Sequence, residues 1–404
     1  MLRLLLPRGS LPRRIVQAVC VYTLLWLGVG GWYERPWELP GVVTRLLYTV
    51  MVTLTEYVAR GWKPVFAEWT LSFEIARAVS RAFLTHYGHR IMVARNARIL
   101  RAQTAVVGTL MGVYYCRQHG TTTERLVHNG LEHIWIRTAP PRSTPARRVV
   151  VLFFHGGGYA VNSPRMYIPF GSELQHRLRR TLRGKHRQED TFEVEVLLAN
   201  YRKTPEFQHP IPPLDAVAMY EYLLEQQRLS PSQIVILGDS AGGGLAIATL
   251  LRVRDRNPEL LPASAILSCP FVDLETRGDE RKVPYCILAD KAGEAIWQSY
   301  HPRQGHPSMW GDASPVHCDL RGLPPVYIQA GELDYILPHA KRLMEKARAD
   351  GVTNWRLEIF ENMPHVFTNF PPSVLPTAAR GLDAMAEYAA ASFMRHDKST
   401  KQDN

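Results

Sequence analysis

Several features are scarce or absent in this sequence. The five cysteines are scattered and show no C-x-x-C spacing, which disfavours both a disulfide framework and a zinc site. The sequence contains no N-x-S/T glycosylation acceptor, since Asn162-Ser163 is followed by Pro164. Glycosylation sites therefore do not indicate the cellular compartment. There is no repeat of fixed period and no low-complexity tract. We therefore expect one globular catalytic domain after an N-terminal extension.

Acidic residues are too few to balance the basic ones. The 48 Lys and Arg residues exceed the 37 Asp and Glu residues, which gives a formal net charge of +11. The excess is concentrated ahead of an apolar run at the N-terminus and in residues 177–187, between a predicted helix and a predicted strand. We interpret the second cluster as a solvated loop, with contact to anionic lipid as the alternative. Neither cluster indicates a nucleic-acid partner.

No acidic residue precedes Glu34, and no charge of either sign occurs from Ile15 to Tyr33. At about 1.5 Å per helical residue, this run approaches the roughly 30 Å hydrocarbon core of a bilayer. Four arginines precede it, and the positive-inside rule keeps them cytosolic. We predict a cytosolic segment at 1–14 and a type II signal anchor at 15–33, with membrane lipid as a partner and the catalytic domain in the lumen of the endoplasmic reticulum. A cleaved signal peptide, a mitochondrial presequence and a buried helix stay open.

Amphipathic helical patterns continue through residues 41–85, but charges interrupt them every few residues. A second span is disfavoured, because one central arginine such as Arg45 costs about 3 kcal/mol on insertion. These helices are expected to lie on the membrane or to cap the active site. We assign 34–145 to a helical cap or N-terminal extension and 146–395 to the catalytic domain.

Beyond residue 105, short apolar segments with strand character alternate with helical patterns. The predicted strands contain VVGTLMGVYYC, LEHIWIRT, RVVVLFF, VEVLLANY, QIVILGD, AILSCPF, PVYIQAG and WRLEIF. Nearly continuous apolar strands separated by helices are typical of a mainly parallel sheet covered on both faces. The predicted fold class is therefore α/β.

A nucleophile motif follows one of these strands. Gly238-Asp239-Ser240-Ala241-Gly242 matches G-x-S-x-G, follows the apolar strand 233–237 and opens a helix predicted from Ala241 to Asp255. Strand, sharp turn and helix expose the hydroxyl at the strand end, and glycines permit the close approach. A phosphate-binding turn is the alternative, but no lysine follows as a P-loop requires. Ser240 is the predicted nucleophile.

A second glycine-rich turn follows the strand 149–154. It reads His155-Gly156-Gly157-Gly158, and glycine backbone can present amide hydrogens to an oxyanion. The residue after the nucleophile, Ala241, supplies a further amide. We predict an oxyanion hole formed by the amides of Gly156, Gly157, Gly158 and Ala241, with His155 as part of the motif.

A serine nucleophile needs a base and an acid, and after this type of turn the acid and then the histidine follow along the chain. His365 follows the apolar strand 355–360, whereas other histidines beyond Ser240 lie in polar or helical contexts. Asp334 follows the strand 326–330 and is the predicted acid. Glu332, two residues earlier, and Asp273, at the end of another apolar strand, are the alternatives.

These motifs resemble the hormone-sensitive-lipase-like branch of the α/β-hydrolases. Further matches are Asn200-Tyr201-Arg202, Pro205-Glu206, Pro210, Asp215, Leu323-Pro324-Pro325, Gly331-Glu332-Leu333-Asp334 and Met363-Pro364-His365-Val366-Phe367. Lys203-Thr204 departs from the Leu-Ala usual in the family, and the basic segment at 177–187 is an insertion. The predicted architecture also looks like the membrane-bound deacetylases, namely fungal steryl acetyl hydrolases and animal arylacetamide deacetylases.

The resemblance implies the α/β-hydrolase fold and cofactor-free ester hydrolysis, and no Cys/His pattern indicates a metal. We expect a serine carboxylesterase or deacetylase for short-chain acyl esters, acetyl esters in particular, of apolar alcohols such as sterols or natural products. An amidase or formamidase is the nearest rival, since the same site cleaves amides. A non-catalytic receptor on this fold and a membrane-held scaffold are the rivals from other classes.

Overall fold

A computed structural model describes residues 30–138, 147–185, 192–282, 284–288 and 290–402. Their strands form one sheet in the order β1-β2-β4-β3-β5-β6-β7-β8. The strands are β1 Thr121–His128, β2 Leu131–Thr138, β3 Arg147–Phe154, β4 Phe192–Ala199, β5 Ile234–Asp239, β6 Ser264–Ser268, β7 Val326–Gly331 and β8 Arg356–Phe360. Only the pairs β1–β2 and β2–β4 are antiparallel among these strands. The prediction of a mainly parallel sheet is confirmed.

Helices cover both faces of the sheet. They are α1 Leu39–Ala59, α2 Leu71–Tyr87, α3 Ala94–His119, α4 Ile168–Lys185, α5 Ile211–Glu225, α6 Ala241–Arg256, α7 Asp290–Tyr300, α8 Leu337–Ala349 and α9 Thr377–Gln402. Alternate residues of a strand point to opposite faces. Val150 and Leu152 of β3 thus pack with α5, α6 and α8, while Val149 and Val151 pack with α4 and α9. Because both faces are buried, the central strands read as continuous apolar runs.

The apolar composition of VVGTLMGVYYC predicted a strand, and this prediction is wrong. The segment is part of α3. Gly108 and Gly112 are four residues apart and therefore lie on one face of this helix. A Cβ on Gly108 would lie 2.2 Å from Cα of Met166, and one on Gly112 would lie 2.5 Å from Cγ2 of Ile168. The two glycines thus let α3 pack closely against the start of α4.

The sheet begins before residue 146, where we placed the start of the catalytic domain. β1 and β2 form a hairpin through Asn129 and Gly130, both with positive φ (50° and 71°). Asn-Gly in a two-residue turn matches the right-handed twist of the flanking strands. The antiparallel contact of β2 with β4 joins this hairpin to the parallel strands.

The basic stretch that we interpreted as a solvated loop is helical as far as Lys185. Arg177 lies on α4 and pairs with Glu173, one turn earlier, and with Asp383 of α9 at 2.6 Å. The ion pair between Arg177 and Asp383 therefore links α4 to α9. Residues 186–191, which complete the stretch, lie outside the described residues.

Most of the predicted anchor, residues 15–29, also lies outside the described residues. Among those described, the segment Pro36–Ala59 is long and apolar enough to cross a membrane, with 11% of its most apolar window buried. Length and composition are weak evidence for a span. The segment also contains Arg45 and Glu56.

Candidate active site

Ser240 occupies the sharp turn between β5 and α6. Its backbone is left-handed at φ 52°, which is rare for a residue with a side chain. Hydrogen bonds to Ser268 O (2.8 Å) and from the Phe271 amide (2.9 Å) hold this conformation. A Cβ on Gly242 would lie only 1.9 Å from the carbonyl oxygen of Phe154. The second glycine of the G-x-S-x-G motif is therefore required by the contact between α6 and β3.

Ser240, His365 and Asp334 are joined by one hydrogen-bond chain. His365 Nε2 lies 2.9 Å from Ser240 Oγ, and its Nδ1 lies 2.9 and 3.0 Å from the two Asp334 carboxylate oxygens. The His365 and Asp334 side chains are 2% and 0% exposed. The three residues come from the carboxyl ends of β5, β8 and β7, which meet at one edge of the sheet. This is the geometry in which a base can take the serine proton while a carboxylate orients the imidazole.

The two alternative acids lie elsewhere. Glu332 accepts the amide of Asn362 at 3.1 Å. Asp273 is fully buried, pairs with Arg342 at 2.6 Å and accepts the amides of Glu275 and Thr276. Neither carboxylate makes a hydrogen bond to His365.

Four other histidines on the C-terminal side of Ser240 have described side chains, and they make different contacts. His339 lies 2.9 Å from the carbonyl of Thr276, and His301 accepts the amide of Arg303 at 3.0 Å. His306 caps a short turn through Ser308, and His317 lies 3.6 Å from Glu275. Among the histidines of the described chain, His365 is the one whose ring nitrogen reaches Ser240 Oγ.

The glycine-rich loop differs from prediction at Gly156. Its amide donates to Asp239 Oδ1 at 2.7 Å, so it is not free to bind an oxyanion. Gly157 and Gly158 have positive φ (111° and 60°), and neither their amides nor that of Ala241 makes a hydrogen bond within the described chain. The predicted oxyanion hole is thereby reduced to Gly157, Gly158 and Ala241.

Asp239 is the residue of the site that we did not predict, although it stands inside the nucleophile motif. Its buried carboxylate accepts the Gly156 amide, the Asn369 side chain (2.8 Å) and the Tyr167 hydroxyl (3.1 Å). Burial raises its pKa to about 6, against the lowering effect of these donors. Asp239 therefore ties the glycine-rich loop to the nucleophile strand and to the segment after His365. The sequence did contain a signal for a role of Asp239 in the site, because an acidic residue ends an otherwise apolar strand.

His155 contacts the same glycine-rich loop and a neighbouring tyrosine. It is fully buried, its Nδ1 lies 2.7 Å from the carbonyl of Gly156, and its ring stacks on Tyr201 at 4.6 Å. The Tyr201 hydroxyl donates to the carbonyl of His155 at 2.8 Å. Burial lowers the pKa of His155 well below its usual value, so the ring is neutral at pH 7.

Among the residues that the structure describes, two clusters contain side chains that could hold a metal ion. Ligand atoms of Cys269, Asp334 and His365 lie within 4.8 Å of one another, but both ring nitrogens of His365 are already engaged by Asp334 and Ser240. Asp273, Glu275 and His317 form the other cluster. Arg342 approaches both of its carboxylates, and a cation there would compete with that guanidinium.

Segments outside the sheet contact the loops of the site. Trp69, just before α2, donates its indole N–H to the carbonyl of Asn362 at 2.8 Å and packs with Met363 and Phe367. On the other side, a Cβ on Gly158 would lie 2.7 Å from Cδ1 of Ile296 in α7. Both the histidine loop and the glycine-rich loop are thus supported by segments outside the sheet.

A mainly parallel sheet with a strained nucleophile turn and a serine, histidine and carboxylate chain at its carboxyl edge defines an α/β-hydrolase. Residues 151–369 match the family model described as alpha/beta hydrolase fold. An acetyl-hydrolase of Streptomyces hygroscopicus is 34% identical over 65% of this chain and 78% of its own length. Arylacetamide deacetylase of Oryctolagus cuniculus is 27% identical over 45% of this chain and 44% of its own length.

Solved structures agree with these relatives. The crystal structure of an esterase from the bacterial hormone-sensitive lipase family superposes with a TM-score of 0.59 and 29% identity, over 74% of this chain and 91% of that one. The chain therefore belongs to the α/β-hydrolase fold family, as its motifs indicated. It is a carboxylic ester hydrolase.

Proposed function

We propose that Ser240, His365 and Asp334 are the catalytic triad of a serine esterase or deacetylase. Its substrates are short-chain acyl esters, acetates in particular, of apolar alcohols such as sterols or natural products. The observation that carries the proposal is the continuous hydrogen-bond chain from Asp334 through His365 to Ser240 Oγ.

In this mechanism Ser240 Oγ attacks the ester carbonyl carbon while His365 Nε2 takes the hydroxyl proton. The Asp334 carboxylate holds the other ring N–H and stabilises the imidazolium. Collapse of the tetrahedral adduct breaks the bond to the alcohol oxygen, which leaves with the proton from His365. Water then attacks the acyl-serine with His365 as base, and the carboxylic acid is released.

The negative charge of the tetrahedral adduct falls on the former carbonyl oxygen. The amides of Gly157, Gly158 and Ala241 are the proposed donors, because none makes a hydrogen bond to another described residue and each adjoins Ser240 or the loop beside it. Loss of one such donor typically costs about 3–4 kcal/mol of transition-state stabilisation. Asp239 contributes indirectly, since it fixes Gly156 immediately before these donors.

The preference for small acyl groups has two supports. Relatives with substantial coverage include an acetyl-hydrolase, and an arylacetamide deacetylase also matches. In addition, Ile296 lies directly against Gly158, so α7 restricts the space beside the proposed oxyanion hole. For an apolar alcohol, the support is the partly exposed Phe66, which packs on the buried Trp69 and Phe73 beside the histidine loop.

Membrane attachment through residues 15–33, with the catalytic domain on the lumenal side of the endoplasmic reticulum, is also proposed. It is supported by the uncharged run and the arginines before it. Protease protection of tagged chains in microsomes tests the topology. A C-terminal tag that is digested without detergent would contradict the lumenal orientation.

Labelling with a fluorophosphonate tests the triad. We expect the detergent-solubilised wild type to be labelled and to hydrolyse p-nitrophenyl acetate. Ser240→Ala should abolish labelling, and Ser240→Ala and His365→Ala should each lower kcat by about 10⁴-fold or more. The exposed Ser308 provides the matched control Ser308→Ala, which should keep both activities. Folded wild-type protein without labelling would overturn the enzymatic proposal.

Substrate profiling separates the remaining candidates. Turnover should fall from p-nitrophenyl acetate to longer acyl esters, and sterol or aryl acetates should exceed acetates of polar alcohols. The same preparation is assayed with p-nitroacetanilide, whose amide bond replaces the ester. A higher kcat/KM for the anilide than for the acetate would favour the amidase.

A further inference from the structure

Helix α1 exposes an apolar face although its opposite face is packed. Val42 is buried with Phe83 of α2, whereas Leu47, Tyr48, Met51 and Val58 are exposed. The exposed residues recur three, four and seven positions apart and therefore form one stripe. The stripe of Leu47, Tyr48, Met51 and Val58 is hereafter the α1 stripe.

Aromatic side chains flank the α1 stripe at both ends. Trp37 precedes α1 and is 70% exposed, and Trp62 follows it and is 69% exposed. Exposed tryptophans are favoured in the interfacial layer of a bilayer, where the ring meets both apolar and polar surroundings. A helix that is packed on one side and apolar on the other is suited to lie in the plane of that layer.

A basic groove of about 290 Å³ runs between α1 and α2 beside the stripe. Arg45 lines it from α1, Arg77 and Arg81 line it from α2, and Glu56 is the one carboxylate among its described lining residues. None of these arginines forms an ion pair within the described chain. Nε of Arg77 is buried without a hydrogen-bond partner, and the guanidinium lies over the Trp69 ring at 5.2 Å. Arg77 and Arg81 both donate to the carbonyl of Pro284, which holds two like charges side by side.

The charge in the groove is thus only partly compensated. The remaining lining is uncharged or apolar apart from His86 at its end. Two neighbouring guanidiniums with a third opposite them are complementary to a phosphate, which accepts charged hydrogen bonds on several oxygens. An apolar surface and a phosphate-binding groove side by side match the two parts of an anionic phospholipid.

We propose that the α1 stripe lies in the interfacial layer of a bilayer and that the groove between α1 and α2 binds the phosphate of an anionic lipid headgroup. The proposed anchor ends at residue 33, and α1 begins at Leu39. Six residues span at most about 20 Å, so an anchored chain keeps α1 near the membrane surface. That proximity rests on the proposed anchor, whereas the stripe and the groove are independent of it.

The test places a photo-crosslinking p-benzoylphenylalanine at Tyr48 of the full-length chain in lipid nanodiscs. Met309, which is 77% exposed in a loop of the catalytic region, provides the control position. Nanodiscs contain phosphatidylcholine alone or mixed with phosphatidylglycerol, and lipid adducts are quantified by mass spectrometry. We expect adducts at position 48 and none at 309.

The variant Arg45→Gln tests the groove in the same background. Removing one cation from an anionic surface should lower the phosphatidylglycerol adduct about five-fold, equivalent to about 1 kcal/mol, and leave the phosphatidylcholine adduct unchanged. Turnover of p-nitrophenyl acetate should be unchanged in Arg45→Gln, because Arg45 takes no part in the hydrogen-bond chain of the proposed triad. Unchanged turnover verifies folding and separates this proposal from the catalytic one.

Three results would overturn the proposal. Crosslinking of position 48 to a second protein chain instead of lipid would assign the stripe to a protein interface. A phosphatidylglycerol adduct that is unaffected by Arg45→Gln would remove the groove from headgroup binding. Loss of that adduct in millimolar inorganic phosphate would assign the groove to a free anion.

Discussion

The substitution Gly242→Ala tests how closely α6 must approach β3 for the nucleophile turn to form. The added Cβ would lie 1.9 Å from Phe154 O and 2.9 Å from His155 C. These neighbours are backbone atoms and cannot rotate away. Restoring a 3.0 Å contact requires a displacement of about 1 Å, since 3.0 minus 1.9 is 1.1. We expect a loss of about 3 kcal/mol in the free energy of unfolding, the upper end for overpacking.

The same displacement should impair turnover more than substrate binding. Ala241 stands between Ser240 and Gly242, so its amide moves with the start of α6. Misplacing one proposed oxyanion donor should lower kcat about 100-fold and change KM little.

Gly41→Ala is the matched control. The same methyl group is added in α1, where no atom of the described residues lies within 4 Å of the new Cβ. Because alanine favours a helix over glycine, this variant should gain about 0.5–1 kcal/mol and keep full activity. Urea unfolding followed by tryptophan fluorescence and p-nitrophenyl acetate turnover provide both measurements. If Gly242→Ala is as stable and active as Gly41→Ala, the inferred contact between α6 and β3 does not restrict the site.

Three further predictions concern the acid, a buried lysine and the acyl group. Asp334→Asn should lower kcat about 10⁴-fold, whereas Glu332→Gln and Asp273→Asn should retain most activity; a larger loss in either would identify another acid. Burial lowers the Lys203 pKa to about 7 in the folded chain. Above that pH the unfolded chain binds more protons than the folded chain, so the free energy of unfolding should rise from about pH 7 to 10. Lys203→Met should remove that rise in the urea midpoint, and the variant should be more stable than the wild type at pH 7. An unchanged pH profile would refute the assignment of the rise to Lys203. Ile296→Ala should increase the turnover of p-nitrophenyl octanoate relative to acetate, and an unchanged ratio would remove Ile296 from the acyl side.

The parts of the site that local sequence determines could be predicted. The turn around Ser240 follows from glycines between a strand and a helix, and His365 and Asp334 each follow an apolar strand. Parallel strands bring such residues to one edge whatever the details of packing. The structure places all three within hydrogen-bonding distance, and their catalytic roles stay a prediction.

The parts that depend on tertiary contacts could not be predicted in the same way. The amide of Gly156 is engaged because Asp239 turns toward it, and the motif does not specify that orientation. The apolar composition of residues 106–116 favours a strand, but tertiary packing against Met166 and Ile168 selects a helix. Arg177 likewise finds its partner Asp383 on a helix about 200 residues away in the chain.

The hydrogen bond from Trp69 to the carbonyl of Asn362 has a consequence for how these enzymes can diversify. Its donor lies outside the segment that matches the family model, residues 151–369, and its acceptor lies inside it. The aromatic residues before and within α2 are the proposed contacts of the apolar alcohol, and exchanging the N-terminal helices for those of a relative would also remove one support of the His365 loop. Chimeras should therefore recover activity only when the transplanted segment brings its own hydrogen-bond donor to the Asn362 carbonyl. Substrate specificity and catalytic rate therefore cannot be exchanged separately where the N-terminal segment joins the rest of the chain.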